Sequence, residues 1–486
     1  MKKIKLLILV FTVTAFQLAF AYNLVHTNVE HHKTDVSVST LSELREAVQS
    51  DNQVIVLKAG KYNITELPEN ARNFPCSGSN NTINLSGAYI NFPVGKFTTA
   101  HFILTGSNII LRGGEFEDTY QNGMQKVTDF GSYNQNRSTL AKGIKGDANI
   151  KVLGNNNLVI GVKMTTRGSF PYGYGNMYGI GADNATGLDK HCALLITGIG
   201  NTVDSCEFQH RAFGHVIYMQ KEADKTLIKN TYIEGDVRPS NDVYKETNDG
   251  DLPKKFDYKM PLGPMKGLPI PHDVMLNLTE DGIRSYNIPG SVTVENCVVR
   301  KCRGGIKLYL GKGEVKVSNS TVLDCIVEGF TLNNGGKMIN CSGNAAYGPL
   351  IYMHSDASAN QQIDLKVLPA PYAVGNHVFA AIKGSGHQIK LTQVGNSTPF
   401  DATLRPIVIG YTARFEFLTT DFPKIPKGYE ENYAKYFKDE RYKATNITLI
   451  NGTPYPVILG QLSEKNTVKS LGNVNDLGKG NSISKP

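Results

Sequence analysis

Apolar and β-branched residues recur along this chain in short runs and not in helical stripes. Five segments share one pattern: an apolar residue, a variable one, Asn or Ser, then a small residue. They are Val203-Asp-Ser-Cys206, Ile228-Lys-Asn-Thr231, Val294-Glu-Asn-Cys297, Val317-Ser-Asn-Ser320 and Met338-Ile-Asn-Cys341. Their third positions, Ser205, Asn230, Asn296, Asn319 and Asn340, are separated by 25, 66, 23 and 21 residues, and 66 is three times 22. Gly161 fits the series, 44 residues before Ser205. A fixed period of this length marks a repeat architecture. Val, Ile and Thr dominate the runs, which favours strands, and the leucine skeleton of a leucine-rich repeat is missing. The pattern predicts an all-β fold, a right-handed parallel β-helix of about 22 residues per coil. Asn tolerates a left-handed backbone, so these asparagines suit the sharp bend between strands and can ladder along the stack.

One segment has helical periodicity, Thr40 to Gln49, with Thr or Ser available as N-cap. It leads into a strand and turn, Gln53 to Tyr62. Together they predict a cap over residues 40–62, shielding the open end of the first coil. The rest reads as a single β-helix domain, residues 22–486. Two stretches break its period: 165–190, rich in Gly and Tyr, and 235–273, rich in Pro, Asp and Lys. Long loops on a regular scaffold tend to carry function. From about residue 396 the rhythm loosens. Phe379-Ala-Ala-Ile-Lys-Gly384 and Tyr455-Pro-Val-Ile-Leu-Gly460 suggest further coils, Tyr429 to Lys443 suggests a short helix or lid, and the last dozen residues read as a frayed tail.

Residues 1–21 read as a secretory signal: Lys2, Lys3 and Lys5, an apolar run from Leu6 to Phe16, and Ala19-Phe-Ala21 as the cleavage site. The apolar run is too short for a membrane span, and no other stretch reaches that length. The expectation is an exported chain, periplasmic or secreted. Seven cysteines, an odd number, argue against a disulfide scaffold and suit small buried core residues. The formal charge of +8 drops to about +5 without the signal. No basic run or nucleic-acid motif accompanies it. A mild positive balance suits an acidic substrate.

One strand per coil precedes the Asn bend by most of a turn. Aligned, these strands are His215 to Gln220, Gly282 to Tyr286, Gly305 to Tyr309, Gly329 to Asn333 and Leu350 to His354. Alternation puts Ile217, Ile283, Ile306, Phe330 and Ile351 inward. The outward face carries Tyr218 and Gln220, Arg284 and Tyr286, Lys307 and Tyr309, Thr331 and Asn333, Tyr352 and His354. Adjacent coils lie about 4.8 Å apart, so this column forms a cationic and phenolic patch. His210, Arg211 and His215 lead into its first strand. Arg238 and Asp242 open the second insertion, where a surface turn is the plain alternative. Tyr172, Tyr174 and Tyr178 lie in the first insertion, placed to stack on sugar rings.

Arg, Lys, Tyr and His without paired carboxylates suit β-elimination on a uronic acid. Arg284 or Lys307 would neutralise the substrate carboxylate. His215, Lys307, Tyr309, Tyr286 and His210 are candidates for base and acid. With a sugar on O4 the enzyme is a polysaccharide lyase; with a free hydroxyl it is a dehydratase. An epimerase would share the proton abstraction. Two rivals stand: a glycoside hydrolase using Glu280 and Asp281, and a non-catalytic carbohydrate-binding β-helix.

The capping helix, the coil period and the Arg/Lys/Tyr column resemble the pectin-lyase-like β-helix superfamily, above all bacterial polysaccharide lyases acting on uronate polymers. The resemblance spans Thr40 to about Gly395. Gly214-His-Val-Ile217, followed by Asn230 to Arg238, resembles β-helix proteins of marine polysaccharide utilisation. That group includes alginate-type lyases and the oligosaccharide dehydratase of ulvan breakdown. The resemblance implies an acidic oligo- or polysaccharide substrate for a monomeric enzyme with neither nucleic-acid nor membrane partner. The clustered acidic ligands of calcium-dependent relatives are not evident, so no calcium site is carried over and no cofactor is expected; Asn248-Asp-Gly-Asp251 has ligands for Ca²⁺ in principle, with an exposed acidic turn as the plainer reading.

Overall fold

A computed structural model describes residues 33–94, 100–120, 148–168, 191–245, 257–259, 267, 269–270, 272–355, 357–374, 377–395, 404–412 and 441–486. The expected leader, Tyr172, Tyr174 and Tyr178, residues 248–251 and most of 429–443 therefore lie outside the described residues.

Two long sheets, one of 13 strands and one of 23, carry the described residues. The larger sheet bends into two ladders, so the coils have three faces. One coil shows the rule. Asp281–Ser285 lies on the column face, Val292–Glu295 on the second and Val298–Arg300 on the third; Gly304–Leu308 then returns to the column. Each strand pairs in parallel with its equivalent in the next coil. This is the right-handed parallel β-helix implied by the period, with the hand that parallel crossovers adopt.

The bend between second and third faces is where the sequence pattern sits. Ser205, Asn230, Asn296, Asn319 and Asn340 have φ of 50 to 53°, and Gly161 has φ 65°, a region disfavoured for most side chains. Asn230 Nδ2 donates to Asp204 Oδ1 at 2.8 Å, Asn296 Nδ2 to Asn230 Oδ1 at 3.3 Å, and Asn340 Nδ2 to Asn319 Oδ1 at 2.6 Å. A second ladder marks the bend before the second face: Asn52, Asn80, Asn108 and Asn156, with φ of 55 to 59°. Its first rungs are 28 residues apart, so a 22-residue period does not reveal it.

The inward positions behave as alternation requires: Ile217, Ile283, Ile306, Phe330 and Ile351 are buried in one continuous core. All seven cysteines are buried and free. The cap is helix Leu41–Ala47, with Thr40 and Glu43 forming a capping box and Leu41 and Leu44 turned to the core. A strand ahead of it, Thr34–Val38, adds a rung not read from the sequence.

The C-terminal region is not loose where it is described. Ile407–Ile409, Val457–Leu459 and Val474–Asp476 extend the column sheet. Ser482–Ser484 pairs with Thr467–Lys469, so the expected frayed tail is a further coil. Its polar residues are bend residues: Asn446, Lys465 and Gly480 have positive φ, and Asn466 Nδ2 donates to Asn481 Oδ1 at 3.0 Å. No helix among the described residues is long and apolar enough to cross a membrane.

Candidate active site

The column register places Tyr218, Arg284, Lys307, Thr331 and Tyr352 in one outward row. Two residues further along each strand, Tyr286, Tyr309, Asn333 and His354 form a second row. Three residues before Arg284, Lys307 and Thr331 lies a third, Asp281, Gly304 and Glu328. Gly304 has to be small: a Cβ there would lie 2.7 Å from Asp281 Oδ1.

The third row corrects the sequence reading, which took the patch to lack paired carboxylates. Glu280, Asp281 and Glu328 are all buried beneath it. Arg303 Nη1 donates to Glu280 Oε1 at 2.9 Å, and its Nη2 to Asp281 Oδ2 at 3.0 Å. Lys307 Nζ meets Glu328 Oε1; Thr331 Oγ1 donates to Glu328 Oε2 at 2.8 Å, and His354 Nε2 lies 2.5 Å from that oxygen. Burial opposes the charge on Asp281, but Arg303, Lys307 and His215 hold its carboxyl well below the usual range. Burial likewise opposes the charge on Glu328, and Lys307 and His354 hold it far down. Reading one residue earlier in the aligned strands would have exposed this row, because Asp281, Gly304 and Glu328 each precede a glycine.

His215 joins the cluster from the preceding coil. Its Nδ1 lies 3.3 Å from Asp281 Oδ2, and its Nε2 is 3.3 Å from Glu280 Oε2 and 2.6 Å from the Tyr286 hydroxyl. Arg284 is sandwiched between phenols, with Cζ 4.7 Å from the Tyr286 ring centre and 4.8 Å from that of Tyr309. Its Nη2 donates to the Tyr309 hydroxyl at 3.3 Å. Burial works against the Arg284 charge, yet Asp281, Tyr309 and Tyr286 raise its pKa above the ordinary value. Among the described residues its Nη1 and Nε have no hydrogen-bond partner, although Arg284 is only 6% exposed. Tyr309 stacks on His354 with ring centres 4.0 Å apart. Tyr286, Tyr309, Tyr352 and His354 are half-exposed. The surface is thus an aromatic rim over a floor of buried ion pairs.

Several sequence candidates fall elsewhere. His210 is fully buried, its Nε2 3.1 Å from the His191 carbonyl, and burial pushes its pKa down to about 3. It is a neutral core residue away from the column's polar face, because it points inward from the third face. Arg211 lies outward on that face, donating to the Gly235 carbonyl and to Gln209 Oε1 at 2.8 Å. Asn333 Nδ2 donates to the Gly311 and Gly313 carbonyls, which fixes a turn. Tyr218 is covered, packed with Ala148 and Cys192. Arg238 lies on Val237–Pro239, paired with Met275–Asn277 beside the column. Asp242 pairs with Lys245 at 3.1 Å on the surface. Among the described residues no group of three or more His, Cys, Asp or Glu side chains is arranged so that it could hold a metal ion.

The sequence matches no protein-family model and no curated protein. Among solved structures, an alginate lyase AlyF-OU02 bound to G6 is 12% identical, over 93% of this chain and 88% of that one, with a TM-score of 0.46. A PL6 alginate lyase with a trisaccharide is 13% identical over 93% and 85%, with a TM-score of 0.43. PfbA, a surface adhesin of Streptococcus pneumoniae, is 10% identical over 93% and 92%, with a TM-score of 0.42.

Proposed function

We propose that this protein is a carbon–oxygen lyase acting by β-elimination on a uronic acid residue of an acidic oligo- or polysaccharide. One observation carries the reading. Arg284, buried, with its Nε 3.7 Å from Asp281 Oδ2 and its Nη1 making no hydrogen bond among the described residues, lies between two phenols, and one of those phenols is hydrogen-bonded to a histidine. Such an arginine is pre-placed for a substrate carboxylate.

The roles follow from the contacts. Arg284 neutralises the uronate carboxylate, which makes the C5 proton acidic. Tyr286 takes that proton after passing its own to His215, whose ring Asp281 orients. The C5–H electron pair becomes the C4–C5 double bond, the C4–O4 bond breaks, and O4 receives the Tyr309 hydroxyl proton. Arg284 then faces the resulting Tyr309 phenolate. Return of the His215 proton through Tyr286 and solvent to Tyr309 restores the site. Lys307, paired with Glu328, serves as fixed positive charge.

This arrangement disfavours the hydrolase. A glycosidase needs an accessible carboxylic acid with a raised pKa. Glu280 and Asp281 are instead buried and clamped by Arg303. An O4-linked sugar makes the reaction a lyase cleavage, and a free terminal O4 makes it a dehydration. Ulvan- and alginate-type chains supply suitable uronates, and the leader-like N-terminus suits action outside the cytoplasm. The test is mass balance on defined oligouronates. Elimination gives fragments summing to the parent mass, or the parent less one water. Fragments that sum to the parent plus one water would establish hydrolysis and overturn the proposal.

A further inference from the structure

The outward face of the column changes character at both ends of the polar cluster. On one side Tyr218 is 8% exposed and packs with Ala148, Cys192 and Leu195. On the other, the row that carries Arg284, Lys307, Thr331 and Tyr352 continues as Ala381, Val408 and Ile458. All three are apolar; Ala381 and Val408 are buried and Ile458 is partly buried. Val378, Ala381, Val408 and Tyr411 form a buried cluster, with Tyr352, Tyr442 and Ile458 packed against it. The cover is a pair of antiparallel strands, Tyr411–Thr412 and Arg441–Tyr442, standing on the column.

Lys383 pins that cover. The register puts it one coil beyond His354, in the row of Tyr286 and Tyr309. It is 1% exposed, and its Nζ lies 3.3 Å from the centre of the Tyr442 ring, 5.4 Å from that of Tyr352 and 5.9 Å from that of Tyr411. A desolvated ammonium enclosed by aromatic faces is a strong cation–π arrangement. The cover is therefore fixed to the sheet at the point where the polar surface ends.

We infer that the Tyr411–Tyr442 strand pair, anchored by Lys383, is a wall at the end of the column's polar face, so that the site accepts the end of a sugar chain. The inference rests on the elimination reading above and adds to it the mode of attack. Three strand spacings separate the Lys307 rung from the Ala381 rung, about 14 Å, room for only a few sugar units. A chain continuing past that point would have to pass through Tyr442. Each turnover releases a short piece, or water, from one terminus.

The test uses the intact protein and a long uronate polymer, sampled at low conversion by size-exclusion chromatography with ultraviolet detection. The expected result is unsaturated product in one or a few small sizes, while the polymer peak keeps its position. Activity on terminal units alone, as water loss from oligomers, supports the wall equally. Unsaturated fragments of intermediate length, with the polymer peak collapsing early, would overturn the wall and leave the elimination reading standing. Absence of unsaturated product from both polymers and oligomers would overturn both. Tyr442→Ser, checked for folding by circular dichroism, is expected to broaden products several-fold in length. An unchanged distribution in the folded variant would also overturn the wall.

Discussion

The Tyr286 hydroxyl lies 2.6 Å from Nε2 of His215, although the two residues are 71 positions apart in the chain. They meet because their strands are adjacent rungs, with Ile217 paired to Ile283. The far side of the imidazole faces Asp281 at 3.3 Å. A phenol, an imidazole and a carboxylate in line form a path for one proton. Tyr286→Phe and His215→Gln should each lower turnover by about 10²- to 10⁴-fold. The double variant should be little worse than either single one, since residues that act as a unit are not additive. Rates on a defined oligouronate check both points.

Lys307 and Glu328 test a different link, between the site and the fold. Lys307→Met leaves the Glu328 carboxylate buried without its main counter-charge. Breaking one side of a buried pair costs about 3–5 kcal/mol, so a clear drop in melting temperature is expected along with lost activity. Pairing it with Glu328→Gln should recover most of the stability and none of the activity. Arg284→Ala should differ, because Asp281 keeps Arg303: it should fold and be inactive. Thermal melts beside activity assays separate the cases.

Gly304 separates Asp281 from Glu328 in their row. Arg303 grips Asp281 through three guanidinium contacts of 3.0 to 3.2 Å, so its carboxylate cannot swing away from an added methyl. Gly304→Ala should destabilise by about 1–3 kcal/mol, as overpacking does, and should slow turnover by disturbing the Asp281–His215 contact. Gly335→Ala is the control for turnover, because nothing lies within 4 Å of its Cβ position; its φ of +69° makes it a strained position and so a demanding one for stability.

Three buried histidines give the fold a pH dependence of definite sign. Burial pushes His210 and His377 down to about 3 and His387 down to about 4. Their ring nitrogens face the carbonyls of His191, Ala345 and Lys383. The unfolded chain takes up protons near 6.5, which the folded chain refuses. Their contribution is therefore full above that pH and lost progressively as pH falls towards 3 to 4. The melting temperature should fall across this window, and His377→Gln should flatten the slope.

The scaffold was legible because stacking repeats its demands. Each coil needs a residue that accepts a positive φ at the same bend, so Asn230, Asn296, Asn319 and Asn340 announce the period. The column was legible because alternation is strict there, and it put Tyr218, Arg284, Lys307, Thr331 and Tyr352 in one row. What escaped was set by depth and by distance in sequence. Glu328 and Arg303 act from below the surface, at strand starts where alternation gives no guide. His210 and Arg211 looked like neighbours of His215, yet a corner of the coil lies between them and turns them to other faces. Lys383 continued the column, but its meaning depends on Tyr442, 59 positions away. The polar C-terminal residues looked like a tail because their bend role is visible only beside the preceding coils.

The central claim is that the Arg284–Tyr286–Tyr309 surface performs elimination on a uronate. Its most direct test is the ultraviolet absorbance of the conjugated C4–C5 double bond, followed over time on alginate, ulvan, pectate and glucuronan and on their oligomers. The account predicts that absorbance rises with the wild-type protein on at least one substrate and stays flat with Arg284→Ala. No rise on any of them, or an equal rise with a folded Arg284→Ala protein, would contradict it.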